Sequence, residues 1–226
     1  MAGMPLVAPS TKEQIVCTAE RLFALHGIEG VSLRQIGAVA GSGNNSAVQY
    51  HFGSKDQLIQ AIFEYRLPRL HERRVLLIAE RRPDDLRSWV ECQLRAVMEQ
   101  SELPGSYYLS FVAMLQRYGR REVFERLPEE IRESARAFHA RLTTFLTGIP
   151  EPLRSHRIAR AMTFIVHAAA DRERGRANGQ PVLPFAVEAA DLLDGMCGFL
   201  LAPVSPAALA ALAATDPGGL TWPAFL

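Results

Sequence analysis

An all-α fold, with a three-helix helix-turn-helix unit at the N-terminus and a larger helical body behind it, is predicted by three observations. Apolar residues recur at helical spacing from Thr11 to Leu201. Two Ser-x-x-Gln signals, Ser32 with Gln35 and Ser54 with Gln57, have the form of capping boxes that start helices. Pro and Gly punctuate the apolar stripes and separate one helix from the next. The 226 residues, 48% of them hydrophobic, are enough to bury a full core. Length allows one or two domains; the pattern divides at 1–54 for the N-terminal unit and 55–226 for the body.

Thr11 to His26 is the first helix, with Ile15, Ala19, Leu22, Phe23 and His26 on one face and Gly27 ending it. A second helix starts at the Ser32 cap, where Val31 and Ile36 are spaced as a hydrophobic staple. Its stripe of Leu33, Ile36, Gly37 and Ala40 includes small residues that let a neighbouring helix approach closely. Gly41-Ser42-Gly43 closes it. Asn44 or Asn45 caps a third helix in which Val48 and Phe52 point inward, while Asn45, Ser46, Gln49 and Tyr50 point outward. Amides, hydroxyls and the His51 imidazole on that outer face suit base edges and phosphates better than the Lys/Glu mixture of an ordinary solvated helix. Two short helices joined by a Gly-containing turn form a helix-turn-helix pattern with the second as reader. Base contacts fall to Asn45 and Gln49. Phosphate contacts fall to Tyr50, His51, Lys55 and the capped start at Ser32, and Arg34, Asn44 and Ser46 complete the expected DNA-binding set. Lys55 lies in the first turn of the following helix, where the dipole disfavours a cation and the free N–H groups favour an anion; a bound phosphate or plain solvation would each accommodate it.

The run YHFGSKDQL at 50–58, together with the capped helix from Ser32 and the amphipathic helix from Thr11, resembles the N-terminal domain of TetR-type transcriptional regulators. The similarity in motif spans about the first seventy residues. This chain carries Ala47 and Gln49 where that family usually has Thr and Tyr, and about one extra residue in the Gly41–Asn45 turn. The resemblance implies a homodimeric, ligand-responsive repressor that binds a palindromic double-stranded DNA operator and is released by a small-molecule effector.

Charge is nearly balanced, 25 Lys and Arg against 24 Asp and Glu. The first 66 residues carry Lys12, Arg21, Arg34, Lys55 and Arg66 against Glu13, Glu20, Glu29, Asp56 and Glu64. The N-terminal unit therefore has no net basic charge, and few phosphate contacts per subunit are expected, with reliance on dimerisation, helix N-termini and neutral donors.

The helix from Ser54 continues through Leu58, Ile59, Ile62 and Phe63 to Pro68, where a bend near Leu67 is expected. Arg69, Arg73, Arg74, Arg81 and Arg82 beyond it read as a solvated face. Further stripes follow: Leu86, Trp89, Val90, Gln93, Leu94 and Val97; then Tyr108, Phe111, Val112 and Leu115; then Ile131, Ala135, Phe138, Leu142 and Phe145, ending at Gly148. These would build a core, and the mixture of aromatics and polar tips also suits a small-molecule pocket. Trp89, Tyr108, Phe111, Leu115, His139 and His167 are the candidate ligand-binding residues, although His167 inside an apolar helix equally fits a core histidine with one satisfied nitrogen.

Residues 161–170 and 189–201 are apolar nearly all round and rich in small side chains, so they need cover on more than one side. The simplest cover is the same pair from a second copy, giving a homodimer through 153–174 and 184–202. A polar exposed loop is expected over 172–184, and a short Ala-rich helix over 206–214. Cys17, Cys92 and Cys197 are widely spaced and suggest structural thiols in a reducing compartment, with no metal pair. MAGMPLVAPS lacks signal-peptide character and no apolar run reaches the roughly 18–20 residues of a membrane span, so a cytoplasmic protein is expected. The sequence has no G-x-S-x-G, P-loop, G-x-G-x-x-G after a strand or H-E-x-x-H motif, and neither catalysis, a metal nor a cofactor is expected. Two other readings stay open: an apolar-ligand carrier or enzyme built from 83–201 with structural N-terminal helices, and a protein–protein adaptor using the apolar C-terminal helices.

Overall fold

A computed structural model describes residues 10–41, 47–118 and 122–214, and these form helices and their connections with no strand among them. The helices are α1 (Thr11–His26), α2 (Leu33–Val39), α3 (Ala47–Phe52), α4 (Lys55–Arg81), α5 (Leu86–Gln100), α6 (Tyr108–Arg117), α7 (Glu122–Glu125), α8 (Glu129–Phe145), α9 (Leu153–Ala177), α10 (Phe185–Leu201) and α11 (Pro206–Ala213).

Local chemistry sets the first boundaries. Ser10 and Glu13 form a capping box that starts α1, and Gly27 ends it at φ 72°, a conformation glycine adopts without steric cost. Ser32 and Gln35 form the expected box on α2, and Val31 and Ile36 are both buried. At α4 only half of the expected box is made: Ser54 accepts from the Gln57 amide. Ile15, Ala19 and Phe23 from α1, Ile36 from α2, Val48 and Phe52 from α3, and Leu58 and Ile62 from α4 close the core of this N-terminal unit.

The helix at Lys55 runs on through Pro68 for 27 residues, because Leu67, Leu70 and Leu77 keep burying apolar surface on both sides of the lost hydrogen bond. Two sequence expectations differ from the structure. The Arg-rich stretch is not uniformly solvated: Arg73 pairs with Glu99 and Arg81 with Glu91, whereas Arg74 is buried. The polar loop contracts to 178–184, since α9 continues to Ala177 and buries Arg172 and Glu173. Arg172 bonds Glu102, Glu188 and the Leu183 carbonyl, so its charge is neutralised within the fold.

The buried apolar side chains form one continuous cluster from Ile15 to Leu200. Aromatic packing joins the N-terminal unit to the body, with Phe23 stacked on Phe111 at 6.3 Å, and Phe63 against Phe111, Tyr108 and Phe124. No single helix among the described residues is long and apolar enough to cross a membrane.

Candidate nucleic-acid interface

Helix α3 is short and depends on its neighbours. Val48 and Phe52 anchor it to the core, which turns Gln49, Tyr50 and His51 outward. Tyr50 is 86% exposed, an unusual position for a large aromatic unless its ring and hydroxyl have something to meet. The His51 ring stands edge-on to it at 5.3 Å. Gln49 is exposed, and its Nε2 donates to the Gly53 carbonyl at 2.8 Å, closing the C-terminal end of the helix. That bond uses one of the two Nε2 protons and leaves Oε1 out.

Behind α3, Lys55 neither floats in solvent nor waits unpaired. Its Nζ donates to the Ile28 carbonyl at 2.8 Å and lies 3.6 Å from Glu29, tying the start of α4 to the α1–α2 turn. Ser32 is occupied by its own cap: the hydroxyl accepts from the Gln35 amide and donates to Gln35 Oε1. Arg34 is exposed on α2. Asn44, Asn45 and Ser46 lie outside the described residues. The structure thus brings Gln49, Tyr50 and His51 onto one exposed face, and Lys55 and Ser32 make bonds within the unit that carries it.

A polar junction missed by sequence reasoning connects this unit to the body. Glu20 on α1, 1% exposed, accepts two hydrogen bonds from Arg66 of α4 at 2.6 and 2.8 Å and a third from the Tyr107 amide at 3.0 Å. Burial alone would lower the Arg66 pKa, but the Glu20 bonds and charge raise it above its ordinary value. Glu173 on α9 accepts from the Leu109 and Ser110 amides and from the Ser106 hydroxyl. Burial pushes its carboxyl above the usual range despite those bonds. Helix α6 has no side-chain cap of its own, so carboxylates from α1 and α9 satisfy amides at its start. The signal was legible: Glu20 follows Val16 by four residues and Glu173 follows Ala169 by four, each on a buried stripe.

The six ligand candidates do not share one cavity. Tyr108, Phe111 and Leu115 pack in the core, Tyr108 and Phe111 within the aromatic group at the α1–α4–α6 junction. Half-buried His167 lines a surface cleft with Leu25, Met114, Tyr118 and Arg174. Trp89 meets Phe138 at 6.1 Å between α5 and α8, and His139, whose pKa burial lowers, lies on the same α8.

The sequence model described as "Bacterial regulatory proteins, tetR family" matches residues 15–62, which span α1, α2, α3 and the start of α4. No curated protein matches. Among solved structures, the chain is similar to native NalD of Pseudomonas aeruginosa, the secondary repressor of the MexAB-OprM multidrug efflux pump. Identity is 21% and the TM-score 0.53, covering 85% of this chain and 97% of that one, which is a likeness of fold. A crystal structure of superantigen pfit, at 19% identity and TM-score 0.41 over 83% of this chain and 90% of that one, is too distant to carry weight. The helix-turn-helix unit at residues 15–62 thus matches that of the tetR family of bacterial regulatory proteins, and the all-helical body behind it shares the fold of NalD.

Proposed function

We propose that the protein is a ligand-responsive repressor that binds a near-palindromic operator as a homodimer and is released by a small molecule. The observation that carries this reading is the outer face of α3, where Gln49, Tyr50 and His51 are exposed on a helix pinned from behind by Val48 and Phe52. Each subunit lays that face in a major groove, and two readers spaced by roughly 34–36 Å match one helical turn of DNA. Support for dimerisation comes from α9 and α10, where Phe164, Val187, Phe199 and Leu201 remain exposed and a 390 Å³ groove is lined by Ala161, Phe164, Met196 and Phe199. NalD, of like fold, is itself a repressor. A ligand favouring a subunit spacing mismatched to the groove would weaken operator binding, and coupling of about 1–3 kcal/mol gives a 5–150-fold change. The division at residues 54 and 55 belongs to this proposal.

Selection of bound sequences from random duplex DNA, with the full chain and a Gln49→Ala variant at two salt concentrations, tests it. A palindrome that blurs in the variant is the expected result. Equal, salt-sensitive binding to all sequences would leave the N-terminal helices as scaffold and favour the carrier reading. Phe199→Arg should yield monomers in sedimentation and lose the palindrome; a variant that remains dimeric would move the interface elsewhere.

A further inference from the structure

Arg74 is the most anomalous side chain in the body. It is 7% exposed on α4, and its guanidinium meets only neutral acceptors: Gln93 Oε1 of α5 at 3.3 Å, Ser134 Oγ of α8 at 2.6 Å and His71 Nδ1 at 3.2 Å. No carboxylate pairs with it among the described residues, and burial lowers its pKa with no anion to offset that cost. Phe138 sits 6.0 Å beneath its charge, and Trp89 packs on Phe138. On the solvent side of Trp89 the exposed Arg141 lies 5.6 Å over the indole. The indole Nε1 is itself buried and without a partner. The small cavity between α4, α5 and α8 therefore abuts a buried guanidinium with no carboxylate facing it, and its apolar walls come from Leu67, Leu70 and Ile131.

From this geometry, and resting on the effector-responsive reading above, we infer that the effector is an organic acid whose carboxylate pairs with Arg74 while its apolar body lies between α5 and α8. A carboxylate supplies the planar, two-oxygen acceptor that a guanidinium fork takes best, and it removes the uncompensated buried charge. Space is the second requirement. The cavity beside Arg74 has about 20 Å³, room for roughly one water. An acid therefore enters only if a wall moves, and α8 is the wall held least firmly: of its 17 residues only Phe138 and Leu142 are buried. Arg74 also bonds α8 directly through Ser134, so a carboxylate that takes the guanidinium competes for the tie holding that wall in place.

The test uses the full chain carrying Trp222→Phe, which leaves Trp89 as the fluorophore. Hydrocinnamate and octanoate are titrated beside their primary amides, with calorimetry as a second readout. At least one acid should bind about tenfold or more tighter than its amide, as expected for a charge-assisted bond, and Arg74→Met should abolish that preference. Should Arg74→Met not fold, Arg74→Gln serves in its place. Equal binding of acid and amide, or a preference that survives the substitution, overturns the acid while leaving a responsive cavity standing. Absence of any binding up to millimolar concentration overturns the acid as well. The DNA selection above, which needs no effector, reports separately on the regulator reading.

Discussion

Arg66 and Arg74 lie two turns apart on α4, both largely buried, and they differ in what faces them. Arg66 meets a carboxylate that is itself buried, and Glu20 spends its third bond on the Tyr107 amide, so the junction between the N-terminal unit and the body is neutral and saturated. Arg74 meets an amide, a hydroxyl and an imidazole, and stays a net cation inside the body. A balanced pair holds helices in register. An unbalanced charge is a debt that folding alone does not explain, and it singles out the place where something from outside completes the structure.

Removing each arginine should expose that contrast. Arg66→Ala leaves Glu20 buried without its cation and should lower unfolding free energy by about 3–5 kcal/mol in urea denaturation. A loss below about 1 kcal/mol would mean the junction is wetter than it looks. The buried acid at the other side of α6 gives an intermediate effect that depends on pH. Glu173 has a raised folded-state pKa, so its stabilising contribution is full below its ordinary value of 4.5 and is lost as pH rises through the folded value. Measured at about pH 5 and about pH 8, the wild type should lose stability relative to Glu173→Gln on going to the higher pH. A constant difference would show that the amide bonds fully offset burial. Arg74→Met should fall within about 1 kcal/mol of wild type, because the lost hydrogen bonds are offset by removal of a lone buried charge. A loss comparable to that of Arg66→Ala would make Arg74 a staple like its neighbour. Smallest of all, Tyr50→Ala should stay within about 0.5 kcal/mol in stability, since its ring touches solvent, while operator affinity falls.

Much of this architecture is written locally. The Ser32–Gln35 box, Gly27 after α1, and the buried alternation of Val48 and Phe52 are all set by residues within a few positions of each other, and α1 begins and ends where periodicity and capping place it. The same holds for the exposed face of Gln49, Tyr50 and His51. What the sequence hides is the partner across the fold. Arg74 follows Leu70 by four residues and precedes Leu77 by three, which puts it on the buried stripe, yet as one of several arginines in that stretch it reads as solvated. Its burial depends on Gln93 and Ser134, 19 and 60 residues away. Lys55 is similar: its place in the first turn of α4 gives no sign of the bond it makes to a carbonyl 27 residues earlier. Helical pattern reports which face is covered, and only the assembled structure reports whether a charge there is matched.

The borrowed capping of α6 has a consequence for watching the molecule work. The Tyr107 amide is held by Glu20 of α1 at 3.0 Å and the Ser110 amide, three residues on, by Glu173 of α9 at 2.8 Å. Deuterium uptake at the first therefore clocks the parting of α6 from the N-terminal unit, and uptake at the second clocks its parting from α9. Two neighbouring amides thus form a pair of stopwatches, and their order of exchange after effector addition tells which end of the signal moves first.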